Sequence, residues 1–138
     1  MRTEAAKTSS AIKSELKKAF PKTKFSVRSS NFSGGDSVSI RYENGAPRKE
    51  IEKITDKYQA GSFDGMTDCY DYDNKIEGIP QAKYIQVMRT ITDEKKEEAK
   101  QRIIKKYGIT EWNDKAIMAK FNIWPNDFVY KELEDKTL

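Results

Sequence analysis

Five carboxylates crowd one short stretch of the chain: Asp64, Asp68, Asp71, Asp73 and Glu77, interleaved with Phe63, Met66, Tyr70 and Tyr72. Clustered side-chain oxygens of this kind could hold a hard divalent cation. With Asp64, Asp68, Asp71 and Asp73 as ligands, the chemistry would be that of a carboxylate-metal enzyme acting on phosphodiesters. The spacing does not follow a calcium loop. Counted from Asp71, the sixth position is Ile76 where glycine is required, and the twelfth is Ala82 where a bidentate glutamate is required. The simpler reading is that the acids solvate an aromatic-rich loop, so no metal, cofactor or catalytic residue is assigned. Phe63, Asp64, Asp68 and Tyr70 are instead candidates for a protein-contact loop.

Ser33-Gly34-Gly35-Asp36-Ser37 could turn successive backbone N–H groups toward an anion. No Gly-Lys-Ser/Thr ending follows, and the next residues read as a strand, so this is not a phosphate loop of the Walker type. It reads as a hairpin connection, and Phe32, Gly34 and Gly35 join the protein-contact candidates. Cys69 lies between Asp68 and Tyr70. A neighbouring carboxylate raises a thiol pKa, so Cys69 is expected to be a small buried apolar group and not a nucleophile. The remaining candidates are basic. Lys13, Lys17, Lys18, Lys22, Lys24 and Arg28 contain only Glu15 among them, a local balance of +5, and Arg48, Lys49, Lys53 and Lys57 follow. Such a set could follow a phosphate backbone beside an exposed aromatic such as Phe32. The alternative is a solvated helix face.

Composition removes most other chemistry. The 138 residues contain no His and one Cys, which excludes catalytic triads, Cys-His dyads, imidazole bases and closed Cys/His zinc sites. A single thiol makes no internal disulfide and fits a reducing cytosol. No apolar run reaches membrane-spanning length, and the first residues lack the apolar segment of a secretory signal. A cytoplasmic location, with no membrane partner, is the expectation. The formal charge of +4 is uneven. Residues 1–62 hold 13 basic and 7 acidic groups, residues 63–94 hold 3 and 7, and residues 95–138 hold 10 and 8. At 36% hydrophobic with 15 aromatic residues, the chain can fold around a core.

The elements that must position these groups follow from periodicity. Ile12, Leu16, Ala19 and Phe20 mark a helix near 10–20, with Ser9 or Ser10 as N-cap and Pro21 as stop. Phe25 and Val27, then Val38, Ile40 and Tyr42, alternate with polar residues as half-buried strands. Asn44-Gly45 is a turn, and Ile51, Ile54 and Tyr58 give a second helix over about 47–59. Residues 60–80 read as a long irregular stretch, and a loop of that length is often functional. A third strand follows near 82–90. Thr92 caps a helix carrying Ala99, Ile103, Ile104 and Tyr107, ended by Gly108. Asn113 caps a short helix over Ala116, Ile117 and Phe121, and the tail around Trp124, Phe128 and Val129 packs back. The order α-β-β-α-β-α-α predicts one α+β domain over 1–138. It would be a small, mostly antiparallel three-stranded sheet with helices on one face.

Two blocks go beyond composition: Lys24-Phe25-Ser26-Val27-Arg28 through Asn31-Phe32-Ser33-Gly34-Gly35-Asp36-Ser37-Val38, and Gly61-Ser62-Phe63-Asp64-Gly65-Met66-Thr67-Asp68-Cys69-Tyr70. With the preceding Ala19-Phe20-Pro21, they resemble a large polyvalent protein-associated domain over about residues 9–90, leaving 91–138 as a helical C-terminal extension. The resemblance implies a compact α+β module from a phage or conjugative element, working in a bacterial cytoplasm. It supplies no reaction. The resulting expectation is a non-enzymatic accessory module that binds a host protein or nucleic acid, acting in defence evasion, with the carboxylate-metal phosphodiester enzyme as the alternative.

Overall fold

Thr3, not Ser9 or Ser10, caps the first helix: its hydroxyl accepts from the Ala6 N–H at 3.2 Å. The computed structural model describes residues 3–138, and α1 runs Glu4–Ala19, starting six residues before the expected position. Polar residues inside the helix account for the difference. Thr8 is fully buried, and its hydroxyl donates back to the Glu4 carbonyl at 2.7 Å, so a hydroxyl can sit in the apolar stripe Ala5, Thr8, Ile12, Leu16 without an unsatisfied group. Ser9 donates to the Val27 carbonyl at 3.5 Å, tying α1 to the strand beside it.

That strand, β1 (Phe25–Phe32), pairs antiparallel with β2 (Gly35–Glu43) from Phe25↔Tyr42 to Phe32↔Gly35. Ser29-Ser30-Asn31 and Asp36 are ladder residues and not a loose connection, because the backbone pairing runs on to a two-residue turn at Ser33-Gly34. After β2 the chain crosses through α2 (Arg48–Thr55) and a 3₁₀ turn (Asp56–Tyr58). It returns as β5 (Tyr84–Thr90), parallel to β2 with Val38 opposite Ile85 and Ile40 opposite Val87. The sheet β1-β2-β5 is therefore mixed, one antiparallel pair and one parallel pair, which corrects the mostly antiparallel expectation. A parallel pair needs a crossover connection, and the chain through α2 supplies one between β2 and β5. Val38, Ile40 and Tyr42 are buried; α1 packs on β1 and β2, α2 packs on β5, and the two helices touch.

The stretch 60–80 is not wholly irregular. It contains an antiparallel ribbon, β3 (Ser62–Asp64) and β4 (Cys69–Asp71). Its stem is pinned by Gln81, 8% exposed, whose amide donates to the Lys57 and Asn74 carbonyls at 2.8 Å each and accepts from the Ile76 N–H at 3.1 Å. Gly61 permits the ribbon to close, since a Cβ there would lie 1.8 Å from the Asp71 carbonyl oxygen and 2.8 Å from the Tyr72 Cα.

By its contacts the chain divides into two compact units. The first holds the chain up to Glu43 with Arg48–Thr90, and the second holds Asn44–Pro47 with Ile91–Leu138. The second has a core of its own: Ile91, Ala99, Ile103, Val129 and Leu133, with Trp112, Phe128 and Leu138 against it. α3 (Asp93–Tyr107) starts at the Thr92 cap and stops at Gly108, whose φ is 63°. α4 (Asp114–Phe121) is capped by Asn113 at 2.7 Å. The tail is helical too: α5 (Pro125–Leu133), with proline in its first turn. The expectation of helices on one face of the sheet is narrowed accordingly, because α3, α4 and α5 build a separate core. Asn44 accepts from the Thr92 N–H at 3.1 Å, and Gly45 accepts from the Leu138 N–H at 2.7 Å. Among the described residues no helix is long and apolar enough to cross a membrane.

One polar network joins α1 to the 3₁₀ turn. Glu15 accepts from Lys57 at 2.7 Å and from the buried Tyr58 hydroxyl at 2.6 Å. Burial alone would raise the Glu15 carboxyl, but the Lys57 and Tyr58 hydrogen bonds and the charges of Lys57 and Lys18 outweigh it, leaving the group below its ordinary range. Burial, then the Glu15 hydrogen bond and charge, push Tyr58 up to about 12. A raised phenol contributes stability that is present below its ordinary value of 10.0 and lost as pH climbs toward about 12. A lowered carboxyl contributes stability that is lost as pH falls below 4.5. Tyr58→Phe should therefore cost about 1 kcal/mol at neutral pH in urea unfolding. The gap from the parent should narrow above pH 10 and in acid; a gap that stays constant into strong base would detach Tyr58 from Glu15. Gly61→Ala should lower stability by about 1–3 kcal/mol and speed amide exchange through Ser62–Asp71. Gly65→Ala, with nothing within 4 Å of the added methyl, should shift stability by no more than about 0.5 kcal/mol.

Candidate nucleic-acid interface

Alternation along the strands divides the sheet into two unlike faces. One carries Val27, Ile40 and Val87, together with Phe25 and Tyr42, whose rings are 5.3 Å apart. The other carries Ser26, Arg28, Ser30 and Phe32 on β1, Gly35, Ser37, Ser39, Arg41 and Glu43 on β2, and Tyr84, Gln86, Met88 and Thr90 on β5. Every residue of the second face is exposed or half-buried. The register sets them in rows: Ser26 beside Arg41 beside Met88, Arg28 beside Ser39 beside Gln86, and Ser30 beside Ser37 beside Tyr84.

Arg28 and Arg41 are diagonal neighbours on this face, with Cα atoms about 7–8 Å apart by strand geometry. Both are exposed, and among the described residues no acidic side chain pairs with either. Glu43 is the one acid on the face, two residues past Arg41 and at the opposite end from the rings. Lys24 lies one residue before β1, also exposed.

The aromatic end of the face is built by three separate segments. Phe32 stacks near-parallel to Tyr84, with centroids 6.3 Å apart and 22° between planes. Gly35 opposite Phe32 has no side chain to stand between them, and its φ of 148° and a 2.6 Å approach of any Cβ to the Lys83 Cδ hold the position to glycine. Tyr70 of the ribbon meets Tyr84 edge-on at 5.5 Å and donates its hydroxyl to the Lys83 carbonyl. Burial pushes the Tyr70 phenol up, so it is neutral and able to donate. The Lys83 ammonium donates to the Gly34 carbonyl at 2.8 Å and lies 4.9 Å from the Tyr70 ring and 5.8 Å from Tyr84. Its backbone N–H donates to the Asp36 carboxylate at 2.8 Å, and among the described residues no carboxylate pairs with the ammonium.

The sequence-derived candidates separate accordingly. Phe32, Gly34, Gly35 and Tyr70 come together around Lys83 and Tyr84, although two separate parts of the chain, the β1–β2 hairpin and the β3–β4 ribbon, supply them. Phe63 (54% exposed) and Met66 (97% exposed) project from the ribbon, and Asp64 accepts from the Met66 N–H at 2.9 Å to brace its turn. Asp68 is exposed in a left-handed conformation, φ 54°. Cys69 is exposed and not buried as expected: of the three residues of β4 only Tyr70 turns inward. Among the described residues no three His, Cys, Asp or Glu side chains gather into a group that could hold a metal ion.

The basic set also divides. Lys13, Lys17 and Lys18 are exposed on α1, whose buried stripe lies against the sheet. Lys22 and Lys24 are exposed in the connection, and Arg28 alone belongs to the open sheet face. Arg41, Lys83, Tyr84 and Gln86 were missed as site residues. For Arg41, Tyr84 and Gln86 the signal was the same period-two alternation that located the strands, applied to the polar half of each strand; Lys83 lies one residue before β5 and had no such signal.

No curated protein and no solved structure matches the chain. A family model does match, that of large polyvalent protein associated domain 29, over residues 3–103. The match begins at the cap of α1, takes in both strand pairs and the ribbon, and ends at Ile103 inside α3. The chain belongs to the large polyvalent protein associated domain 29 family.

Proposed function

We propose that this protein is a non-enzymatic accessory module of a phage or conjugative element that binds nucleic acid through its basic surfaces in a bacterial cytoplasm, in the service of evading host defence. The observation that carries the reading is the open sheet face, where Arg28 and Arg41 stand as diagonal like charges with no acidic partner among the described residues. Two unpaired guanidinium groups on one bare face repel each other, and a phosphate chain relieves that repulsion while supplying acceptors for both forks. Family membership supports the mobile-element setting. The absence of His from the composition favours binding over catalysis.

A second reading, contact with a host protein, is favoured by one observation. Phe63 and Met66 stand largely in solvent on a ribbon braced at its turn and stem, as contact side chains on a stiff support would.

The nucleic-acid reading is tested by fluorescence anisotropy with labelled oligonucleotides at several salt concentrations. Binding should weaken steeply with salt, and Arg28→Glu/Arg41→Glu should flatten the plot of log K against log salt by about 0.7–0.9 for each phosphate contact removed. Binding that ignores salt, or that survives the double reversal unchanged, would remove this reading. Isothermal titration with Mg²⁺, Mn²⁺ and Ca²⁺ addresses the carboxylate-metal enzyme, which requires heat of binding that Asp64→Asn/Asp68→Asn abolishes.

A further inference from the structure

The open sheet face has two parts of different chemistry, and only one class of polyanion uses both. Along β1, Arg28 and Phe32 stand four residues apart on the same side, about 13 Å from each other. Arg41 broadens the cationic centre, and Ser26, Ser30, Ser37, Ser39 and Gln86 fill the surface around it with short donors and acceptors. At the far end the face finishes in rings: Phe32, 47% exposed, lies near-parallel to Tyr84, which Tyr70 holds edge-on. The Lys83 ammonium sits beside them. A cationic centre alone would suit any phosphate backbone. A duplex keeps its base faces stacked inside the helix and has nothing to offer the rings, whereas a single strand presents a π-face with each nucleotide.

We propose that the open face of the β1-β2-β5 sheet binds single-stranded nucleic acid, one base stacking on the Phe32–Tyr84 platform while the phosphate backbone crosses Arg28 and Arg41. The proposal rests on the nucleic-acid reading above and narrows it to one strand state and one face. Sequence preference is weak, because stacking accepts every base. Gly35 is part of the device: it leaves the gap across which Phe32 reaches Tyr84, and it sets the Lys83 stem against the backbone. Lys13 and Lys17 on α1 take no part.

The test is anisotropy titration of the full chain with a labelled twelve-nucleotide oligothymidylate and with a mixed-sequence duplex of the same length, at one salt concentration. The single strand should bind at least about tenfold more tightly than the duplex. Phe32→Ala should weaken the single strand by about 5- to 100-fold and leave duplex binding unchanged, while Phe32→Tyr, which keeps the ring, should retain affinity. Lys13→Glu/Lys17→Glu should leave single-strand binding within about twofold of the parent, and circular dichroism of each variant reports that the fold is kept. Equal affinity for strand and duplex would overturn the single-strand inference and leave the broader reading standing. A single-strand preference untouched by Phe32→Ala, or lost with Lys13→Glu/Lys17→Glu, would overturn the assignment to this face. No binding to either oligonucleotide would remove both.

Discussion

β2 is the one strand of the sheet with a neighbour on each side, and the geometry of the first unit depends on that double pairing. Its antiparallel ladder to β1 and its parallel ladder to β5 fix which residues share a row, and a slip of one residue in either would turn every side chain to the opposite face. The register is enforced by burial. Val38 and Ile40 are fully buried and Tyr42 nearly so, and a slip would place Ser37, Ser39 and Arg41 in their stead, burying hydroxyls and a guanidinium with no prepared partners. The hydrophobic side of β2 therefore positions the polar side. Arg41 stands beside Ser26 and Met88 because Ile40 stands beside Val27 and Val87.

Much of the fold was legible because local signals and tertiary demands agree. Thr92, Gly108 and Asn113 act as the caps and stops their chemistry suggests, and the alternation at Phe25, Val27, Val38, Ile40 and Tyr42 marks the buried face. Where the reading departs from the structure, non-local hydrogen bonds decide. Ser29-Ser30-Asn31 resembles a connection by composition, yet it pairs with β2 along its length. The ribbon in 62–71 has only three residues a side, too short for periodicity to register; Gln81 and Gly61 hold it from outside, and its own Tyr70 reaches out to the Lys83 carbonyl. The direction of β5 is not encoded in β5; its parallel pairing needs the crossover before it.

The candidate site was half legible for a related reason. Residue type alone nominates lysines on a helix and carboxylates in a loop, and both are abundant on ordinary surfaces. What distinguishes Arg28 and Arg41 is that register makes them neighbours on one face, where among the described residues no acid pairs with them, a property of two strands and not of either segment. The same holds for Phe32, Tyr70 and Tyr84, which lie in three separate segments. The Glu15–Lys57–Tyr58 network is the contrasting case, cationic and aromatic groups brought together and fully occupied by one another.

The position of β1 at the margin of the sheet has a further consequence. A marginal strand leaves a row of backbone donors and acceptors to which another extended chain can add, and such margins are commonly guarded by charge. Arg28 sits along that margin and Lys24 just before it, so cations close to the phosphate path also repel a second copy of β1. Ligand contact and protection from self-association are then carried by the same side chains. Replacing them with neutral residues would remove the guard along with the contact, whereas reversing their sign removes the contact and keeps like copies apart.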